Sequence, residues 1–292
     1  MRVVVFGATG FIGRALLPAL AAEQEVVAVS RSRRPPQKGI SWVVGDVTDA
    51  PAVRRALDGA DVVYYLVHSL GSPDFEERDV AGARTTAAEA ETAGARQIVY
   101  LGGLGEEGEE LSPHLRSRLE TGRALASGAV PLTTLRAAVV VGKGSAAFET
   151  IVALVDRLPV MVAPRWVSTP TQPIALADTV RYLAAVAGRE ETIGETYDLG
   201  GPEVMTYRQM IERVADMRGK RRAIIEVPIL TPFLSSLWLH LVTPVGASVA
   251  RPLVEGLRNP TVAEDTRILE LIPFPLTPFD RAAREALDVG DW

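Results

Sequence analysis

The chain has no cysteine. Disulfides, a thiol nucleophile and a thiolate metal site are therefore excluded. Histidine is nearly as scarce: His68, His114 and His240 are scattered along the chain, which argues against a histidine-built metal site. Acidic residues outnumber basic ones, and the net charge of −5 gives no electrostatic case for binding nucleic acid. No apolar run is long enough to span a bilayer, because the strongest, residues 228–245, is interrupted by Pro232 and Pro244. The first strand is expected from residue 2, which leaves no room for a signal peptide, so the expectation is a cytoplasmic protein.

What is present is ordinary for a globular α/β protein. There are 292 residues, 47% hydrophobic and 23% charged, enough for one large or two small domains. Val3, Val4, Val5 and Phe6 read as a buried parallel strand. Gly7, Gly10 and Gly13 follow at three-residue spacing, and Ala15-Leu16-Leu17 opens a helical pattern. Strand, glycine turn and helix form the context that a dinucleotide-binding fingerprint requires. Gly7 permits the tight turn, Gly10 lets the backbone approach a pyrophosphate, and Gly13 lets the helix pack closely on the strand. The helix N-terminus then holds the phosphates. Pro18 inside this helix predicts a kink.

Further along, strands are expected at 25–29, 41–44, 61–67, 97–101, 132–141 and 196–199. Helices are expected at 49–57, 72–93, 146–158 and 176–187. This alternation predicts an α/β fold, a Rossmann-type doubly wound parallel sheet over residues 1–200, with an excursion near 143–172. A small, mainly helical C-terminal domain is expected over 201–292, with helices at 207–218, 247–257 and 280–287 and a short strand at 223–227. In a doubly wound sheet, ligands sit beyond the carboxyl ends of the strands, which places His68 and Ser69 near the reactive end of a dinucleotide. An acid at the end of the second strand would bind the ribose hydroxyls of NAD. The chain instead has Ser30-Arg31-Ser32-Arg33-Arg34, so Arg31 with Arg33 or Arg34 suits a 2′-phosphate and favours NADP(H), with NAD(H) as the alternative. A solvated basic loop before Pro35-Pro36 is the bland reading of the same run.

The stretches GATGFIGR at 7–14, VVYYLVHSLG at 62–71, LRAAVVVGKGSAAFE at 135–149, PRWVSTPTQPIAL at 164–176 and GPEVMTYRQM at 201–210 carry a resemblance. Together they resemble the atypical and extended short-chain dehydrogenases/reductases, the NmrA-like branch. They look most like bacterial NAD(P)-binding oxidoreductases that are themselves similar to the dehydrogenase-like accessory subunit of respiratory complex I. The resemblance covers nearly the whole chain. It implies that Asp46 lies beside the adenine, although a helix-capping aspartate is an equal reading. The expected cofactor contacts are Gly7, Thr9, Gly10, Phe11, Ile12, Gly13, Arg31, Arg34, Asp46, Val47, Val67, His68 and Ser69.

The resemblance also implies a proton donor, normally a tyrosine with a lysine one helical turn on. None of the six tyrosines has lysine at the fourth position after it. At the corresponding place stand His114 and Arg118. His68, His114 and Arg118 are therefore the catalytic candidates: Arg118 to hold ribose or phosphate with a permanent charge, and His114 to donate a proton near neutral pH. A helix start with no chemistry is the competing reading. Arg136, between apolar residues, needs a carboxylate or an anionic ligand. With Lys143, Arg165, Trp166 and Trp238 it makes up the expected substrate side. The 228–245 stretch reads as a core helix, a lid over an apolar substrate, or a surface resting on a membrane or partner. The implied activity is an NADP(H)-dependent oxidoreductase acting on a small hydrophobic substrate such as a quinone, enone or isoprenoid-like molecule. A non-catalytic NAD(P)H-binding sensor or scaffold and a sugar-nucleotide epimerase are the alternatives.

Overall fold

The computed structural model describes residues 1–69, 74–105, 112–227 and 259–289. The expected helix start at 72–73, the helix at 247–257, the 228–245 stretch and Trp238 lie outside the described residues, as do the side chains of Arg165 and Trp166. The strands are β1 (Arg2–Phe6), β2 (Glu25–Ser30), β3 (Ile40–Val44), β4 (Val62–Tyr65), β5 (Gln97–Gly103) and β6 (Leu132–Ala137). Short strands follow as β7 (Val140–Val141), β8 (Val160–Pro164), β9 (Pro170–Thr171) and β10 (Ile174–Ala175). Then come β11 (Thr196–Leu199), β12 (Met205–Thr206) and β13 (Ala223–Val227). The helices are α1 (Phe11–Ala21), α2 (Ala50–Leu57), α3 (Phe75–Thr92), α4 (Pro113–Leu125) and α5 (Ala146–Arg157). They continue with α6 (Leu176–Ala185), α7 (Tyr207–Met217), α8 (Arg267–Leu271) and α9 (Phe279–Leu287).

Seven parallel strands form the central sheet in the order β11-β6-β5-β4-β1-β2-β3. The order reverses between β1 and β4, so a crevice opens at their carboxyl ends. Alternate residues serve opposite faces. Val3, Val5, Tyr64 and Leu135 pack against α1, α6 and α8, whereas Val4, Phe6, Val63 and Tyr100 pack against α2, α3 and α4. The α3 stripe is narrow because its core residues are small: Ala83, Ala87 and Ala90 are fully or almost fully buried. A Cβ on Gly82 would come within 2.9 Å of the Tyr65 hydroxyl. That close approach brings α3 against the sheet end where the site lies.

Two expected strands change length for a physical reason. β4 ends at Tyr65, not Val67, because its partner β1 turns away at Gly7, whose φ of +79° only glycine adopts freely. The last ladder bond runs from Leu66 N–H to Phe6 carbonyl at 3.0 Å, and residues 66–69 are left as a free loop over the crevice. The expected strand 132–141 is two strands: after Ala137 the chain leaves the main sheet, and Val140 pairs with Ile174 in a separate two-stranded ribbon. Pro18 lies on the exposed side of α1, and the helix runs through it.

A second apolar cluster gathers segments far apart in sequence: Phe148 and Leu154 of α5, Met161 of β8, Met210 and Val214 of α7, and Phe279 and Ala283 of α9. Between these, residues 261–272 return to the main domain. Ile268 and Ile272 enter its core. Buried Asp198 on β11 ties this strap down, accepting from the N–H groups of Glu264 and Asp265 at 3.0 and 3.1 Å and from Arg136 Nε at 2.7 Å. Arg136→Ala leaves that carboxylate 1% exposed with only the two backbone donors. The expected loss is about 2 kcal/mol, a fall of roughly 6 °C in melting temperature, readable by calorimetry.

Candidate functional site

The glycine turn is built by contact and not by sequence pattern alone. A Cβ on Gly7 would stand 2.5 Å from the Leu66 carbonyl group, and one on Gly13 would overlap the Gly7 carbonyl oxygen and come within 2.8 Å of Ala8 Cα. Gly10 caps α1 with extended backbone and no side-chain hydrogen bond, so the first-turn N–H groups of α1 have no side chain over them. Unpaired N–H groups at a helix start, with the dipole's positive end behind them, bind anions.

In front of this turn lies a cavity of about 690 Å³. Gly7, Thr9 and Gly10 line it from one side, Ser30 and Arg31 from the end of β2, Asp46 and Val47 from the loop after β3, and Val67, His68 and Ser69 from the loop after β4. The cavity thus brings together most of the residues expected to touch a cofactor. Arg34 is held just outside, its Nε 3.2 Å from the Ser30 hydroxyl. Phe11 points elsewhere, toward Gly142 and Gly144, and Ile12 packs on the main core. Burial raises the Asp46 carboxyl, but hydrogen bonds from the Thr48 N–H and hydroxyl, with the charges of Arg78 and Arg31, hold it below the ordinary aspartate value. Arg78 of α3 also lines the cavity. No sequence signal singled it out, since a surface arginine on an amphipathic helix is unremarkable until α3 is docked.

Beyond Ser69 the loop meets α3 and α4. His68 Nδ1 lies 2.8 Å from Asp79 Oδ2, and its Nε2 lies 3.2 Å from His114 Nδ1. Ser69 N–H donates to Asp79 Oδ1 at 3.0 Å. Asp79, fully buried at its side chain, was missed by the sequence reading, yet a signal existed. It shares the stripe of Ala83, Thr86, Ala87 and Ala90 on α3, and an acid on a buried stripe requires a partner. Burial, with the Arg118 charge, holds His68 below the ordinary imidazole value despite Asp79. Burial first, then His68 and Arg118, push His114 down to about 3. Both rings are therefore neutral near pH 7, and His114 has no imidazolium proton to donate there, contrary to its expected role.

A buried neutral histidine makes stability depend on pH with a definite sign. Below the unfolded value, near 6.5, the unfolded chain takes up a proton that folded His114 refuses, so stability is complete above about pH 6.5 and falls on acidification toward the folded value. Between pH 7 and 5 this is on the order of 1 kcal/mol. Urea midpoints should fall over that range in the native chain and fall less in His114→Gln.

Arg118 is a strap and not a free cation. Its guanidinium stacks over Tyr100 at 4.7 Å and donates to the carbonyls of Val67 and Leu101. Arg136 meets a carboxylate, Asp198, and lines a second cavity of about 500 Å³ against α4 that shares no lining residue with the first. Lys143 is exposed and paired with Asp288 at 2.6 Å, which draws it away from the cofactor-side cavity. Among the described residues no cluster of three His, Asp or Glu stands close enough to hold a metal, and no helix is long and apolar enough to cross a membrane.

A glycine turn, an uncapped helix start and a cavity at the strand switch are the features with which a Rossmann fold takes a nucleotide. Residues 7–136 match the family model described as NAD(P)H-binding. The matched residues make up less than half of the chain. It is 26% identical over 77% of its length to NADH dehydrogenase [ubiquinone] 1 alpha subcomplex subunit 9, mitochondrial, of Arabidopsis thaliana, and spans 60% of that protein. It is 28% identical over 75% of its length to the (4-alkanoyl-5-oxo-2,5-dihydrofuran-3-yl)methyl phosphate reductase of Streptomyces griseus, spanning 74% of that protein. In fold it is similar to the Citrobacter sp. triphenylmethane reductase complexed with NADP(H), with TM-score 0.78 and 17% identity over 98% of this chain and all of that one.

Proposed function

We propose that the protein is an NADP(H)-dependent oxidoreductase that transfers hydride to or from a small hydrophobic molecule such as a quinone, an enone or an isoprenoid-like compound. The observation that carries the cofactor half is the cavity at the β1/β4 switch, with Gly7, Gly10 and the α1 N-terminus on one side and Arg31 at the end of β2 on the other. The pyrophosphate would lie on the α1 N–H groups, the adenine beside Asp46 and Val47, and the 2′-phosphate against Arg31 and Arg34. When bound, the nicotinamide supplies the hydride chemistry, and the chain's own task is to hold the acceptor, exclude water and handle the proton. The small C-terminal domain, 201–292, with the 143–172 excursion, is the substrate side in this reading, and Arg136, Arg165, Trp166 and Trp238 are its candidate contacts. The redox half is supported by the reductase name of the Streptomyces griseus relative.

The test is consumption of NADPH, followed by its absorbance, against panels of quinones and enones. Turnover with one class supports the reading. NADPH binding without turnover on any panel moves the weight to a non-catalytic NAD(P)H-binding role, which similarity to the Arabidopsis thaliana complex I subunit favours. An epimerase role would require binding of a nucleotide diphosphate sugar.

A further inference from the structure

The line Asp79, His68, His114 admits one proton arrangement. A carboxylate only accepts hydrogen bonds, and Asp79 stands at the buried end of this line. One of its oxygens takes the Ser69 N–H, and the other faces His68 Nδ1 at 2.8 Å, so the proton sits on Nδ1. A neutral imidazole has a single N–H, which leaves His68 Nε2 bare. That nitrogen faces His114 Nδ1 at 3.2 Å, so His114 is the donor there and its own Nε2 is bare in turn. Each assignment forces the next. No hydrogen bond joins His114 Nε2 to a described residue. The rings are held in place, 5.0 Å apart and tilted by 36°, with Phe75 edge-on to His68.

We infer that Asp79 is the positioning residue of a three-membered proton relay, whose open end, His114 Nε2, accepts a proton from a substrate hydroxyl. The inference rests on the oxidoreductase reading for its substrate, and on the two distances together with the neutrality of both rings for its tautomers. In the transfer, the hydroxyl O–H bond breaks and its electron pair stays on oxygen. The proton bonds to His114 Nε2, and the proton of His114 Nδ1 passes to His68 Nε2. The positive charge comes to rest on His68, against the Asp79 carboxylate, and not on His114. The step needs no other reactant, and run backward it returns the proton to an alkoxide. The charged groups that act on the pair are Asp79 from α3 and Arg118 from α4. Arg118 opposes a second proton on either ring, so the relay holds one at a time.

With three histidines in the chain, nitrogen-15 spectra of the imidazoles are simple to read, and His240→Gln removes the one outside the relay. In the full chain His68 and His114 should both show the neutral tautomer protonated at Nδ1 from about pH 8 to about pH 6, and the first imidazolium on further acidification should be His68. In Asp79→Asn, which keeps the shape but makes an amide of the acceptor, His68 should lose the pure Nδ1–H tautomer and His114 should follow. Protonation of His114 at Nε2 in the native chain, or His114 charging before His68, overturns the relay. So does an Asp79→Asn spectrum with both tautomers unmoved. The native spectrum alone decides the case if that variant does not fold. NADPH titration of the same samples reads the cofactor assignment separately: lost binding with the tautomers intact refutes the oxidoreductase reading and leaves the proton arrangement standing.

Discussion

Gly13→Ala is expected to abolish NADPH binding and to lower stability by about 3 kcal/mol. The methyl group has nowhere to go, because the atoms it meets are the Gly7 carbonyl oxygen, Ala8 Cα and Ala8 carbonyl carbon, all main chain. Side chains can rotate away from an added carbon, whereas this turn can yield only by moving α1 off the strand. That movement carries the first-turn N–H groups of α1 away from the pyrophosphate position. Gly94→Ala is the control. Gly94, unlike Gly13, has a positive φ, +71°, but nothing lies within 4 Å of an added Cβ, so it should cost about 1 kcal/mol of backbone strain and leave NADPH affinity intact. Melting temperature and NADPH fluorescence titration on both variants separate the two effects. An unchanged NADPH affinity in Gly13→Ala would refute placement of the pyrophosphate on this turn.

Arg31→Ala should weaken NADPH binding by about 10- to 100-fold and leave NADH binding nearly unchanged. A charge-assisted contact to a phosphate is worth about 1.5–3 kcal/mol, and only NADPH carries the 2′-phosphate. Arg31 has an exposed side chain at the carboxyl end of β2 and lines the cavity, with Ser30 beside it holding Arg34 by its hydroxyl. Arg78 lies on the other side of Asp46, on α3, so Arg78→Ala should weaken both cofactors to a similar degree. The NADPH preference should shrink as salt rises, because the clamp is solvent-facing. Equal affinity for NADH and NADPH in the native chain would overturn the phosphate clamp and make NAD(H) the cofactor.

The residues behind these two variants were both legible in the sequence. Gly7, Gly10 and Gly13 could be read from the chain because a strand, a tight turn and a helix start are adjacent in sequence, and each glycine answers a local need. Arg31 was readable for the same reason: it closes a strand whose carboxyl end must face the ligand. Arg78 and Asp79 were not, since they reach the site only once α3 has docked on the sheet through Gly82 and its alanine face. Arg136 required a partner, and the partner, Asp198, comes from the neighbouring strand β11. Lys143 looked available from its Gly-Lys-Gly loop, but α9 returns to give it Asp288. His114 shows the limit most sharply. Its identity suggested an imidazolium donor near neutral pH, whereas burial, His68 and Arg118 keep its ring neutral there.

What the sequence by itself determined is the set of local features: the order of strands and helices, the parallel sheet they imply, the glycine turn and the basic end of β2. Periodicity, glycine conformation and strand polarity act within a few residues and do not depend on what packs above them. The tertiary structure decided the state of the ionisable groups and which of them meet. It joined Asp79, His68 and His114 from three segments, bound Arg118 to the carbonyls of Val67 and Leu101, and ended β4 at Tyr65 because β1 turns away. Burial and charge separation are properties of the packed molecule, so the chemistry of this site is written in distances that no stretch of sequence contains.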